Sequence, residues 1–194
     1  MKVLVEVSAR HVHLSQNVID KIFGFGYNLK IKRMLSQTDQ FLSEEKVNIC
    51  VGPFCLENVS ILGPARSETQ IEISLTDARK LKIKVPIRES GNLIDTPGCK
   101  IIGHDGFYEI PNGIIVSKRH VHMSPDDAFQ HKFRNGQECI LNITTKDRTL
   151  SFGKTVVRVD KNFKLAAHID TDESNAAGIQ GQIFGEIYKN LEIL

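Results

Sequence analysis

The chain has 194 residues and seven histidines, four of which lie in two copies of one phrase. VSARHVHLS spans residues 7–15 and VSKRHVHMS spans residues 116–124; they differ only where Lys118 stands for Ala9 and Met123 for Leu14. In a strand, residues two apart share a face and sit about 7 Å apart along the chain. His11 with His13, and His120 with His122, therefore form two converging imidazole pairs. One such pair is as consistent with hydrogen-bonded surface histidines as with a metal, but a repeated pair predicts that a third ligand recurs as well. QIEISLTDARKLKI, starting at Gln70, resembles AAHIDTDESNAAGI, starting at Ala166, if a one-residue slip is allowed. The match sets Glu72 over His168, and a carboxylate and an imidazole are both competent zinc ligands. The expected ligand sets are His11, His13 and Glu72 in one half, and His120, His122 and His168 in the other. Three protein ligands with an open fourth position is the pattern of a catalytic zinc, whereas closed structural sites are commonly rich in cysteine. The alternative leaves Glu72 a solvated strand carboxylate and His168 a hydrogen-bonded core residue. Arg10 and Arg119 alternate with the histidines, so they should point away from a metal and pair with carboxylates behind it.

The elements that must carry these side chains read as mainly β with short α-helices. KVLVEV, EKVNICV, QIEISL, KIKVPI, GIIVSK, CILNITT and KTVVRV look like strands, separated by Gly, Pro, Asn and Asp. SQNVIDKIFG, TDARKLK, SPDDAFQHKF and DESNAAGIQGQIFGEIYKNL read as helical pieces. Ser15 and Ser124 stand at expected N-caps, with Pro125 in a first helical position. The Gly-, Pro- and Asp-rich stretch SGNLIDTPGCKIIGHDGFYEIPNG suggests a passage between units near residues 90–110, giving halves 1–100 and 101–194.

Composition excludes several classes. Lys plus Arg number 25 against 23 Asp plus Glu, a net charge of +2 that offers no broad basic field for nucleic acid. A small-molecule partner is expected instead. No apolar run approaches the roughly 20 residues needed to span a bilayer. Cys50, Cys55, Cys99 and Cys139 form no C-x-x-C pair, and the chain begins strand-like without a signal-peptide pattern. These features suggest a cytoplasmic protein whose cysteines are reduced and serve as small buried apolar residues.

VSARHVHLS, LGPARSETQIEIS, VPIRESGNL, TPGCKIIG, IVSKRHVHMSPDDA and HIDTDESNAAG, in that order, resemble the phosphate propanoyltransferase family, the PduL-type phosphotransacylases, over nearly the whole chain. The resemblance implies two β-barrel domains related by internal duplication, with a dinuclear metal site between them. It implies two zinc ions per chain, on the same six residues that the repeat selects; cobalt would also suit such ligands. The implied reaction interconverts acyl-CoA plus phosphate and acyl phosphate plus CoA, by direct attack of zinc-bound phosphate on the thioester. Propanoyl-CoA or acetyl-CoA is the expected substrate, and no covalent acyl-enzyme is needed. The family's phosphate-binding arginine falls on Arg66 of GPARSET, where a guanidinium can hold two phosphate oxygens at once; its plainer role is an ion pair with Glu68 or Glu72. Coenzyme A contacts are implied at Val7, Ser8, Ala9 and Asn175, positions that read otherwise as ordinary strand and helix-start residues. Where the family tends to carry basic residues, this chain has Phe54, Cys55 and Ser60, so either coenzyme A is bound more weakly or residues such as Lys30, Lys32 or Arg33 serve its phosphates. Family members housed in microcompartments carry an N-terminal extension, whereas the first ligand here is residue 11, which suggests a cytoplasmic form. Neither nucleic acid nor membrane is an expected partner, and the reading is compatible with a homodimer. Two other classes stay open at this stage: a zinc-dependent acyl-CoA or phosphoester hydrolase, and a non-catalytic metal-binding double barrel.

Overall fold

The computed structural model describes residues 1–189. In chain order the elements are β1 (Lys2–Ser8), β2 (His11–His13), α1 (Gln16–Phe23), β3 (Ile31–Met34), β4 (Phe41–Val51), β5 (Phe54–Gly63) and β6 (Gln70–Glu72). There follow α2 (Leu75–Lys80), β7 (Ile87–Arg88), β8 (Cys99–Ile102), β9 (Phe107–Ile110), β10 (Ile114–Ser117) and β11 (His120–Met123). The last are α3 (Pro125–Gln130), β12 (Glu138–Thr144), β13 (Thr149–Val159), β14 (Ala166–Asp170), α4 (Thr171–Ala177) and β15 (Ile183–Lys189). The chain is thus mainly β with a few short helices, as its strand-like runs predict. Among the described residues no helix is long and apolar enough to cross a membrane.

Two compact units divide the chain, one built from residues 9–117 and the other from residues 1–8 together with 118 onward. The first is a nine-stranded half-barrel sheet running β7-β10-β6-β2-β5-β4-β8-β9, with β3 paired to β4. Its core contains Val12, Ile49, Ile61, Ile71, Ile101 and Ile114, all fully buried, and α1 adds Val18, Ile19, Ile22 and Phe23. The second is a closed six-stranded barrel, β1-β14-β11-β13-β12-β15, with its own core of Val3, Val5, Val121, Leu141, Val157, Ala167 and Ile187. Of the two barrels expected, one closes and one is an open half-barrel.

The expected halves 1–100 and 101–194 do not coincide with these units, because the strand preceding each histidine phrase joins the sheet of the other copy. β1 runs parallel to β14, with Glu6 beside His168, while β10 runs parallel to β6, with Ile115 beside Glu72. The divisions at Ser8/Ala9 and Ser117/Lys118 therefore fall at the same point of each phrase.

Three local expectations change. KIKVPI is no strand apart from Ile87; Ile83 and Val85 instead pack against the core from an irregular segment. The helix expected across DESNAAGIQGQIFGEIYKNL stops at Ala177, where Gly178 takes the left-handed conformation (φ 68°) that ends a helix readily. IFGEIYK is then strand β15, which closes the barrel between β1 and β12; the last two residues of the expected helix lie outside the described ones. Cys50 and Cys55, expected as reduced thiols, are joined in a disulfide across the β4–β5 hairpin, whose turn is short enough to set them directly opposite one another. Cys99 and Cys139 do behave as buried apolar residues, burial pushing their thiols up to about 12 and about 11 respectively.

Candidate metal centres

Alternation fixes which residues face the first candidate site. β2 lies antiparallel to β6, with His11 opposite Glu72, Val12 opposite Ile71 and His13 opposite Gln70. Val12 and Ile71 point into the core with no exposed surface, so His11, His13, Glu72 and Gln70 share the other face. The second unit repeats the arrangement: His120 lies opposite His168 and His122 opposite Ala166, while Val121 and Ala167 enter the core. The structure thereby brings His11, His13 and Glu72 into one group and His120, His122 and His168 into another, each with its donor atoms within 4.8 Å of one another.

Tautomers follow from the hydrogen bonds. His11 Nδ1 lies 2.8 Å from the Ala9 carbonyl oxygen and His13 Nδ1 lies 3.2 Å from that of Leu62. A carbonyl only accepts, so both Nδ1 atoms carry a hydrogen, and whenever the rings are neutral both Nε2 atoms present lone pairs. Those two Nε2 atoms are 3.2 Å apart, in a pocket where His11 and His13 are buried. Two lone pairs at that distance repel unless a proton or a cation lies between them. Burial first, and then the neighbouring charges of His11 and Arg66, hold His13 well below the ordinary histidine range, which disfavours the proton. Glu72 Oε2 lies 3.7 Å from His11 Nε2, and Oε1 lies 3.9 Å from His13 Nε2. Ligands about 2.0–2.2 Å from a tetrahedral ion are roughly 3.3–3.6 Å from each other. The donor set and its spacing fit a divalent metal.

In the second group His120 Nδ1 donates to the Lys118 carbonyl at 2.9 Å, reproducing the bond from His11 to Ala9. His120 and His168 stack with ring centroids 5.1 Å apart, and His122 lies 4.6 and 4.7 Å from them. Both ring nitrogens of His122 are buried with no hydrogen-bond partner among the described residues. Burial, followed by the charges of His120, His168 and Arg158, drives its pKa down to about 2, so it stays in the neutral form that a metal requires. Phe163 stacks on the His122 ring at 3.9 Å and fixes its plane. Glu6 Oε2 lies 3.5 Å from His168 Nε2.

Behind each group stands an arginine clamp. Arg10 Nη1 meets Asp77 Oδ1 at 2.5 Å, and Arg119 Nη1 meets Glu173 Oε1 at 2.6 Å. Each acid occupies the third position of the helix that follows the third member of its group, α2 capped by Ser74 and α4 capped by Asp170. The two segments therefore align without the slip that the sequence comparison needed: Ser74 matches Asp170 and Asp77 matches Glu173. Ser124 caps α3 in a full capping box with Asp127, as expected, whereas Ser15 makes no side-chain cap. Its hydroxyl instead accepts from Thr69, and its N–H donates to Thr69 Oγ1.

Arg66 is held close by. Its N–H donates to the Leu14 carbonyl at 2.9 Å, pinning it beside the end of β2, and its Nη1 donates to Ser90 Oγ at 3.3 Å. The Gly63 of the same motif fits a close approach: a Cβ there would collide with the Phe41 ring and push it aside. Val7 and Ser8 pair with Ile169 and Asp170, and α4, which carries the exposed Asn175, packs beside β1. Ala9 offers its carbonyl to His11. Lys30, Lys32 and Arg33 are exposed on and next to β3; Ser60 sits opposite His11, and Lys82 covers the Phe54 ring at 4.5 Å. Sequence reasoning missed Gln70, Ser90, Glu6 and Phe163. Gln70 had a usable signal, since it lies two residues before Glu72 and so shares its face.

A family model described as phosphate propanoyltransferase matches residues 4–180. A phosphate propanoyltransferase of Enterococcus faecalis is 43% identical over 186 residues, covering 95% of this chain and 87% of that protein. Those of Thermotoga maritima (44% over 176 residues, 90% of this chain and 83% of that protein) and Listeria monocytogenes (44% over 186 residues, 95% and 86%) are similarly related.

Proposed function

The chain belongs to the phosphate propanoyltransferase family, and we propose that it transfers an acyl group between coenzyme A and phosphate, with propanoyl-CoA or acetyl-CoA as the thioester. The observation that carries this reading is the convergence of two imidazole Nε2 atoms and a carboxylate on one point, with an arginine secured beside them.

His11, His13 and Glu72 would hold one divalent cation, and His120, His122 and His168 a second, with zinc the ion best matched to nitrogen-rich tetrahedral sets. When bound, such ions supply positive charge that favours the ionised form of phosphate and polarises a carbonyl. Arg66 contributes a planar guanidinium able to grip two phosphate oxygens while leaving another to attack. In the forward direction a phosphate oxygen forms a bond to the thioester carbonyl carbon, the C–S bond breaks, and the electron pair leaves with sulfur. A thiolate with the acidity of an ordinary thiol leaves without a strong acid, so the site needs no dedicated proton donor. A covalent acyl-cysteine finds no support, because Cys50 and Cys55 are paired and Cys99 and Cys139 are buried with raised pKa values. Val7, Ser8, Ala9 and Asn175 complete the proposal as coenzyme A contacts, with Lys30, Lys32 and Arg33 as the cations for its phosphates.

The test is thiol release from propanoyl-CoA and acetyl-CoA, with and without phosphate, on protein of measured metal content. Release should depend on phosphate, yield acyl phosphate, and fall with metal content in His11→Ala. Equal release without phosphate, yielding free acid, would overturn the reading.

A further inference from the structure

The segment VPIRESGNL has no role in the reaction described so far, yet its Ser90 lies at the junction of the two functional groups of its unit. Gln70, only 2% exposed, stands on β6 opposite His13. Its Nε2 donates to Glu72 Oε1 at 2.6 Å and to Ser90 Oγ at 2.8 Å. Its Oε1 accepts the Gly91 N–H at 2.7 Å. The orientation of the amide is therefore settled by its partners: a carboxylate must meet the NH2 side and an N–H must meet the oxygen. Gly91 has φ +95°, a conformation that suits glycine, and it places that N–H over the amide oxygen.

Ser90 Oγ also receives Arg66 Nη1, at 3.3 Å. A serine hydroxyl has two lone pairs and one proton. Both lone pairs are engaged by donors, so the proton must point away from Gln70 and from the guanidinium, and no hydrogen bond from it is made among the described residues. An anion on Arg66 would present an acceptor to this proton. Among the described residues the second unit repeats none of this, and Ala166 stands where Gln70 stands in the first.

We propose that Ser90 is a second phosphate-binding residue, its hydroxyl donating to a phosphate oxygen held by Arg66, and that Gln70 is the positioning residue that orients this hydroxyl and the Glu72 carboxylate together. The proposal rests on Arg66 being the phosphate ligand. It makes the first unit the phosphate-selective one, since a hydroxyl donor placed beside a guanidinium selects an oxyanion.

The experiment measures phosphate KM and acyl-CoA KM for Ser90→Ala, Ser90→Thr, Ser90→Cys and Arg66→Lys, with metal content and calorimetric binding of inorganic phosphate in parallel. A hydrogen bond to a charged ligand makes the expected loss in Ser90→Ala about ten- to hundredfold in phosphate KM and in phosphate affinity. Acyl-CoA KM and metal content should be unchanged. Ser90→Thr, which keeps the hydroxyl, should recover most of the loss, and Ser90→Cys, which keeps the volume but donates weakly, should not. If Arg66→Lys weakens phosphate but Ser90→Ala does not, the inference fails and the reading of Arg66 stands. If Arg66→Lys leaves phosphate affinity intact, the reading of Arg66 itself fails. If Ser90→Ala weakens both substrates and lowers metal content together, Ser90 is only scaffold and the inference is overturned.

Discussion

The metal-free protein should lose stability steeply below neutral pH, and His122 allows the size of the loss to be worked out. The residue is 7% exposed, its ring is stacked on Phe163 at 3.9 Å, and burial pushes its pKa down to about 2 in the fold. In the unfolded chain the same imidazole titrates near 6.5. Because folding lowers the pKa, the neutral side chain's contribution is fully present above about pH 6.5 and declines as pH falls from there towards 2, where the unfolded chain binds a proton that the folded one refuses. The slope is about 1.4 kcal/mol per pH unit for one such group, which amounts to about 2 kcal/mol between pH 7.5 and 5.0. His13 is shifted in the same direction and adds to the effect. Urea unfolding of chelator-treated protein at these two pH values measures it, with His122→Leu as reference. The variant's own stability cancels in the comparison, and its loss on acidification should be smaller by about 2 kcal/mol. If the wild type and His122→Leu lose equal stability, the imidazole accepts its proton inside the fold and the reasoning from burial is wrong.

Arg119→Met should cost about 2 kcal/mol in thermal or urea unfolding, because it strands the Glu173 carboxylate, whose pKa burial already raises, and frees the Gly153 carbonyl. Adding Glu173→Gln should cost less in that background than alone, and strict additivity would count against a coupled pair. Ile71→Ala should destabilise by about 2–5 kcal/mol and Ile71→Val by about 0.5–1.5 kcal/mol, since this side chain is fully buried in the core, on the strand face opposite that of its sequence neighbours Gln70 and Glu72; calorimetry with metal titration should show affinity falling in the same order. Replacing Lys30, Lys32 and Arg33 together by alanine should raise acyl-CoA KM several-fold at low salt and leave phosphate KM alone, and an unchanged acyl-CoA KM would remove these residues from the coenzyme A site.

Both histidine groups were legible in the sequence for a physical reason. Strand periodicity is strict, so His11 and His13 must share a face, and the buried Val12 and Ile71 hold that face in register. The third members became visible once the phrase was read as a repeat. The partners of Arg10 and Arg119 were foreseen as carboxylates, but Asp77 and Glu173 could not be named, because a slip in the alignment hid their equivalence until the caps Ser74 and Asp170 fixed the register. Ser90 stood within the motif VPIRESGNL, but its role was not legible, since it lies in a turn 20 residues on from Gln70 and only the fold brings the two within 2.8 Å. The strand IFGEIYK was hidden for a similar reason: its neighbours β1 and β12 lie far away in sequence.

The repeat also changes what kind of pair the two groups form. In sequence they look unequal, a carboxylate at Glu72 against an imidazole at His168. The exchange of leading strands alters that difference, because the strand before each phrase is contributed to the sheet of the other copy. At corresponding register β10 sets the apolar Ile115 beside Glu72, while β1 sets Glu6 beside His168, with its carboxylate 3.5 Å from Nε2. Each group therefore has one carboxylate, supplied from within its own repeat in one case and by the exchanged strand in the other. A carboxylate this close to the all-histidine group adds negative charge beside any cation held there and attracts it. Removing that contact with Glu6→Gln should weaken metal held by the all-histidine group while leaving the other group's affinity unchanged. Metal titration of Glu6→Gln beside Glu72→Gln tests this directly: each variant should weaken one of the two binding events, a different one in each case, and weakening of the same event in both would refute the pairing of one carboxylate with each group.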